Sequence, residues 1–384
     1  MRLSVISAAF VAALVGFGST IALVLAAAAA VGASPSQTAS WVLAVCLAKA
    51  IGSGLLSVWN RVPVVLAWST PGAALIAATT GISMPQAVGA FVLAAGLIAL
   101  TAAVRPLGRA VAAIPDGVAS AMLAGVLLPF CLKGAGAAKE LPLLILPMIA
   151  VFLAIRRWNP AMAVLAALAA GLVLAFATGS ADLAGLSMTP PVPVFIWPEF
   201  EPGVLIGLGL PLYLVTMASQ NLPGFATMRA HGFAPPVTRA LAVSGTISGV
   251  AALFGAHTVN MAAITAAICM GDDVHPDRSQ RWRVGLAYMG VWILLGVFSP
   301  AILTLLAALP PQVMTALVAL ALLGPLVGAL AGAFTPVETR FAAVITLAVT
   351  GSGVVIWGVG AAMWGLVFGL LVWGIDQIKA PKRR

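Results

Sequence analysis

Two apolar stretches, one in each half of the chain, are interrupted at their centres by residues that suit neither a helix nor lipid. The first runs Pro63-Val64-Val65-Leu66-Ala67-Trp68-Ser69-Thr70-Pro71-Gly72, and the second His257-Thr258-Val259-Asn260-Met261. In each, β-formers lead in and a short run of small apolar residues leads out. At the centre of a bilayer such residues suit the binding of an anion. A helix that begins in mid-membrane presents four unpaired N–H groups and the positive end of its dipole to whatever precedes it. Ser69 or Thr70 can cap the first half-helix, Pro71 suits its first turn, and Gly72 lets a ligand approach the backbone. Asn260 is the matching cap of a half-helix expected from Met261. Two such ends facing each other accommodate a carboxylate without a basic side chain. For either break alone, a kinked helix whose caps only satisfy backbone is the competing reading.

Further polar residues sit in apolar surroundings. Thr216-Met217-Ala218-Ser219-Gln220-Asn221-Leu222-Pro223-Gly224 falls in mid-segment, and its polar side chains are expected to face protein rather than lipid. Gln220 or Asn221 is expected against a bound substrate, with helix–helix hydrogen bonding the alternative for Thr216 and Ser219. Trp68, Phe225 and Phe17 are candidates for an aromatic pocket. No carboxylate lies at the middle of any apolar segment, and His257 is the one histidine inside one. It either carries a proton, donates a hydrogen bond to a substrate carboxylate, or is a neutral ring bonded to backbone. A proton travelling on the carboxylic acid itself or on water is a further possibility. Lys49, flanked by Ala48 and Ala50, is a charge within a segment. It attracts an anion, exchanges charge with His257, faces a crevice between domains, or is neutral through a lowered pKa.

These residues must be positioned by membrane-spanning elements. Of 384 residues, 62% are hydrophobic and 8% charged, against roughly 25% charged in a soluble domain. Apolar segments occupy approximately 4–32, 36–59, 63–81, 85–104, 116–133, 140–155, 159–178, 202–229, 236–255, 257–270, 283–308, 311–332, 339–355 and 358–377. Continuous runs rich in Ala, Leu and Gly indicate helices rather than a β-barrel. The first run is too long for a signal peptide and reads as a retained helix. Arg105 to Ile114 reads as a short interfacial helix. Glycines within segments, such as Gly52, Gly54, Gly89 and Gly96, fit close helix packing.

With the N-terminus in the cytoplasm and fourteen spans, sixteen of the nineteen Lys and Arg residues fall on the cytoplasmic side. Only Lys133 and Lys139 fall opposite, where the longest loop, about 179–201, carries Asp182, Glu199 and Glu201. This positive-inside pattern puts both termini inside. It also accounts for the net charge of +9 through topology and anionic lipid, with no nucleic-acid footprint. Fourteen spans divide into seven plus seven, residues 1–178 and 199–384. An odd number per half makes the halves inverted repeats, with the broken segments as equivalent spans three and ten. Cys46, Cys131 and Cys269 have neither disulfide nor metal spacing, so no metal or cofactor is expected.

Ala67-Trp68-Ser69-Thr70-Pro71-Gly72-Ala73-Ala74, Met217 to Gly224 and His257-Thr258-Val259-Asn260 closely resemble the benzoate:proton symporter family. Val31 to Pro35 and Ala119 to Pro129 are similar too. That family is similar in architecture to nucleobase transporters and sulfate-type anion exchangers. The resemblance implies an all-α protein of the bacterial inner membrane. Spans 1–4 and 8–11 would form a core and spans 5–7 and 12–14 a gate, with a homodimer plausible. It also implies a secondary transporter that imports an aromatic carboxylate with protons by alternating access. A carrier of another anion or of a nucleobase on the same fold is the nearest alternative. Nucleobase carriers place acidic residues where Gln220 and His257 stand here, so an acidic coupling scheme does not transfer. A channel or a membrane-embedded enzyme finds no support in the residues: no nucleophile–base pair or metal-ligand set occurs within the segments.

Overall fold

The computed structural model describes residues 2–181 and 190–379, so Asp182, Lys382, Arg383 and Arg384 lie outside the described residues. Helices α1 (Leu3–Ala30) and α2 (Pro35–Asn60) lead to strand β1 (Leu66–Trp68) and a short helix, α3 (Thr70–Ala77). Then come α4 (Met84–Ala103), α5 (Arg105–Ala112), α6 (Asp116–Glu140), α7 (Pro142–Trp158) and α8 (Ala163–Ala177). The second half holds α9 (Pro202–Ala230), α10 (Val237–Ala252), strand β2 (Val259–Met261) and α11 (Ile264–Met270). It closes with α12 (Arg283–Val297), α13 (Ser299–Ala307), α14 (Pro311–Phe334), α15 (Arg340–Gly351) and α16 (Ala361–Lys379). Seven of these helices are each long and apolar enough to cross a bilayer, and the bent pair α12–α13 makes an eighth candidate. The chain is a multi-pass, mainly helical membrane protein.

Local chemistry sets several boundaries. Ser34 and Ser83 open α2 and α4 with reciprocal capping boxes to Gln37 and Gln86, which satisfies two otherwise orphaned N–H groups at each start. Helix α6 continues beyond the apolar run to Glu140, because Gly134-Ala135-Gly136-Ala137-Ala138-Lys139 offers nothing to stop it. The segment expected as one span over 283–308 instead bends by 55° between α12 and α13. Pro300 has no N–H to continue the ladder, and the Ser299 hydroxyl donates to Gly296 O at 2.7 Å.

Strands β1 and β2 pair antiparallel at the middle of the bundle, Leu66 opposite Met261, Ala67 opposite Asn260 and Trp68 opposite Val259. Two strands leave their outer edges unpaired, and there is no water here to pair them. Side chains of the surrounding helices complete them. Ser53 Oγ accepts from Leu66 N–H at 2.9 Å, and Ser57 Oγ both accepts from Val64 N–H and donates to Val64 O at 3.0 Å. These serines sit four residues apart on one face of α2. Tyr288 of α12 donates its hydroxyl to Leu66 O at 3.1 Å. On the other edge Ser248 of α10 accepts from Val259 N–H at 2.9 Å, and Asn221 Oδ1 of α9 accepts from Met261 N–H at 2.9 Å.

Around this centre α4 packs on α10 and α2 on α12, while α6 packs on α14 and α15, α7 on α8, and α15 on α16. The chain before α9 runs extended and is tied down at Val194, whose N–H donates to Ser40 Oγ, and at Glu199, whose N–H donates to Pro85 O.

Ser57→Ala leaves two backbone groups of Val64 unpaired in an apolar interior, at about 1–3 kcal/mol for each buried unsatisfied group. The expected result is a clearly lower unfolding temperature in detergent. Thr335→Ala, which removes an exposed hydroxyl bonded within its own helix turn, should leave that temperature unchanged.

Candidate functional site

Helix α3 starts where β1 ends, and Ser69 is its cap: the hydroxyl accepts from Gly72 N–H at 3.1 Å. Thr70 opens the helix and Pro71 lies in its first turn, where a missing N–H leaves nothing unsatisfied. Ser69 Oγ also accepts from Thr216 Oγ1 of α9 at 3.0 Å, and Thr216 Oγ1 lies 3.0 Å from Thr258 Oγ1. Since Thr216 gives its one hydroxyl proton to Ser69, Thr258 donates to Thr216. A chain of three hydroxyls thus fixes the α3 N-terminus to α9 and to the approach of β2.

The second break differs from expectation. Asn260 does not cap a helix, and Met261 does not begin one: both belong to β2, and α11 starts at Ile264 without a side-chain cap. Pairing with β1 satisfies this backbone, so the helix begins later. With its amide turned to suit both neighbours, Asn260 donates to Met261 O at 2.9 Å and accepts from Ser69 N–H at 3.0 Å. At its far end α11 is closed by Arg281, which donates to Met270 O at 3.0 Å and pairs with Asp272.

Helix α9 carries two π-helical turns, Leu205–Gly209 and Met217–Asn221. The second turns Asn221 towards β2, where its Oδ1 holds Met261 and its Nδ2 meets Met217 Sδ at 3.4 Å. Both ends of the Asn221 amide are therefore engaged within the protein. Gly224 allows the approach, since a Cβ there would sit 2.4 Å from Met261 Cβ. Gln220, Ser219 and Thr70 are only partly buried and have no side-chain hydrogen bond among the described residues. Gly72 is buried, and its missing Cβ makes room for Leu212 and the Ser69 cap rather than for a ligand.

His257 is fully buried beside the hydroxyl chain. Trp41 Nε1 donates to its Nδ1 at 3.0 Å. An indole can only donate, so this Nδ1 carries no proton and the neutral ring is protonated at Nε2. That Nε2 has no hydrogen-bond partner among the described residues. A second proton on the ring would break the bond to Trp41.

Lys49 lies on α2, 1% exposed, with its Nζ 3.1 Å from the centroid of the Trp292 ring and 3.8 Å from that of Trp68. Phe17 closes the cluster at 5.9 Å from Trp68 and 6.0 Å from Trp292, and Tyr288 stands 5.8 Å from Trp292. Trp68 is itself fixed by donating to Thr20 Oγ1 at 2.7 Å. Among the described residues the one ion pair is Arg281–Asp272, so Lys49 has no carboxylate partner. A desolvated cation–π contact contributes about 2 kcal/mol, against several kcal/mol for withdrawing an ammonium from water. Phe225, expected in the aromatic pocket, is buried elsewhere in the core.

The residues that sequence reasoning missed are Trp41, Trp292, Tyr288 and the serines of α2 and α10. The four-residue spacing of Ser53 and Ser57 in an apolar helix was a usable signal. Nothing local distinguished Trp41 or Trp292 from packing residues.

A sequence profile of the benzoate membrane transport protein family matches residues 1–375. The chain belongs to this family. It is 38% identical over 379 residues to the inner membrane protein YdcO of Escherichia coli (strain K12), covering 98% of this chain and 97% of that one. It is 33% identical over 374 residues to the benzoate membrane transport protein of Acinetobacter baylyi (strain ATCC 33305 / BD413 / ADP1), covering 97% and 95%. Among solved structures, SLC26A9 superposes with a TM-score of 0.63 at 13% identity, over 99% of this chain and 66% of that chain. The transmembrane domain of a cyanobacterial bicarbonate transporter, BicA, gives 0.56 at 14% identity over 98% of both. At such identities the two structures establish a shared fold alone.

Gly72→Ala forces a Cβ to within 2.6 Å of Leu212 and 2.7 Å of the Ser69 hydroxyl. Overpacking of this kind costs about 1–3 kcal/mol, and a lowered detergent melting temperature is expected. Gly249→Ala, whose Cβ would meet only Ala95 at 3.8 Å, serves as the tolerated control.

Proposed function

We propose that the protein is a secondary transporter that imports benzoate or a similar aromatic carboxylate together with protons. The observation that carries this reading is the site at the α3 N-terminus. A capped helix start in mid-membrane is joined by hydroxyls to α9, whose next turn carries Ser219 and Gln220, and these two and Thr70 make no side-chain hydrogen bond among the described residues. Such an end favours a carboxylate. Family membership and the curated relative from Acinetobacter support benzoate as its substrate.

In this reading the carboxylate lies against the first turn of α3, within reach of Gln220, with Ser69, Pro71 and Gly72 shaping the turn. Asn221, Asn260 and Met261 hold the backbone that frames it. His257, held by Trp41, presents an Nε2–H donor beside the hydroxyl chain. The ring of the substrate meets the aromatic cluster of Phe17, Trp68 and Trp292.

Fourteen spans in two inverted halves, with both termini in the cytoplasm of a bacterial inner membrane, complete the proposal. The packing pattern supports it. Under a seven-span offset the α4–α10 contact exchanges with the α2–α12 contact, and the α6–α14 contact maps onto itself. In this reading spans 1–4 and 8–11 form a core and spans 5–7 and 12–14 a gate. A crevice of about 610 Å³ separates them, lined by Leu75 and Thr79 on one wall and Val126, Phe130 and Lys133 on the other. It reaches the C-terminal end of α3, about 12 Å along that helix from the cap. Movement of the core against the gate would carry the site from this crevice to the opposite face.

Purified protein in liposomes should take up benzoate saturably under an inward proton gradient and lose that uptake with a protonophore. Protein-free liposomes correct for passive entry of benzoic acid. Gln220→Ala should raise KM roughly 10- to 100-fold, the value of a hydrogen bond to a charged group. Uptake no better than the protein-free control would refute the substrate assignment, and preferential competition by another anion would name its replacement.

A further inference from the structure

The cluster around Lys49 brings several nitrogen donors together. Lys49 Nζ is held between two indole faces. The Trp292 Nε1–H beside it and the His257 Nε2 are buried without hydrogen-bond partners among the described residues. Among the described residues no carboxylate pairs with the amine. Cys46 on α2 and His257 ahead of β2 lie within electrostatic reach of the amine, while Tyr288 on α12 packs against Trp292 with Cys269 on α11 near it. Tyr288 is committed to Leu66 O, and His257 holds its Nδ1 against Trp41.

Lys49 is therefore a buried basic group without a counter-ion among the described residues, and an anion from outside the protein could supply one. Its cage supplies the link to the site, because Trp68 is the residue next to Ser69, the cap of α3. The indole faces compensate an ammonium only in part. A carboxylate arriving at the neighbouring helix start supplies the remainder.

We propose that Lys49 carries the coupled proton, taking it up as the substrate carboxylate enters and releasing it as the carboxylate leaves. This rests on the reading of the α3 N-terminus as a carboxylate site. The neutral amine binds one proton drawn from the outer side and becomes an ammonium, while the carboxylate stays ionised. On the inner side the anion departs and the proton leaves the amine for water. One anion and one proton cross together, so transport moves no net charge. A symporter whose membrane interior has no carboxylate at the middle of a span thereby obtains a proton site from a lysine.

The test adds benzoate to weakly buffered, detergent-solubilised protein at about pH 8, where a carboxylic acid is fully ionised. Binding is read from tryptophan emission, since Trp68 and Trp292 flank the amine, and proton uptake from an indicator dye. Wild type should take up about one proton per benzoate bound, and Lys49→Arg, which keeps a caged cation, less than about a tenth of that. Lys49→Met should behave in the same way if it binds. Elution profile and melting temperature establish that each variant is folded. A second readout needs no ligand: the pH titration of tryptophan emission in empty protein should be present in wild type and absent from both variants.

Undiminished proton uptake by Lys49→Arg, or an emission titration that persists in both variants, would overturn the proposal. So would benzoate binding to wild type without proton uptake. A wild type that gives no response to benzoate would instead overturn the carboxylate reading, and this inference with it.

Discussion

The structure depends on satisfying the backbone of two short strands placed where there is no water. In a bilayer interior an unpaired N–H or C=O is costly enough that irregular chain survives only inside a protein shell. Pairing β1 with β2 answers for the inner edges. The outer edges are answered by Ser53, Ser57, Tyr288, Ser248 and Asn221, from four different helices. Each of those helices is held in register by the bond it makes. The two strands therefore organise α2, α9, α10 and α12 as much as they are sheltered by them.

That constraint also explains why the two breaks, alike in sequence, are unequal in structure. The first becomes a capped helix start, with Ser69 turned to Gly72 and braced by Thr216 and Thr258. The second gives its polar residue to the strand, so that Asn260 serves β2 and Ser69 N–H, and α11 begins three residues after Met261 without a cap. One capped helix start results, rather than two facing each other. Lys49 stands in its indole cage against Trp68, the residue before that cap.

Some of this was legible in the residues and some was not. Pro71 beside Ser69 marks a helix start through local geometry alone, and there the expected cap formed. Asn260 followed by Met261 carries the same local signal, yet strand pairing across the bundle overrode it. Gln220 and Asn221 are adjacent and chemically alike. A π-helical turn leaves one partly accessible and commits the other to the Met261 N–H. Nothing local marked Trp41 or Trp292, because an indole's role is set by what faces its N–H and its ring.

By itself the sequence determined the membrane class, the position of both interruptions, and membership of a transporter family. Hydrophobic length, charge placement and helix-incompatible residues are local properties, readable along the chain. Tertiary structure alone decided the strand register, the hydroxyl chain from Ser69 to Thr258, the tautomer of His257 and the aromatic cage of Lys49. Each of these joins residues far apart in the chain, 147 positions in the case of Thr216 and Ser69. In a membrane interior, where no solvent can stand in, a polar group's function is fixed by the partner that the fold brings to it.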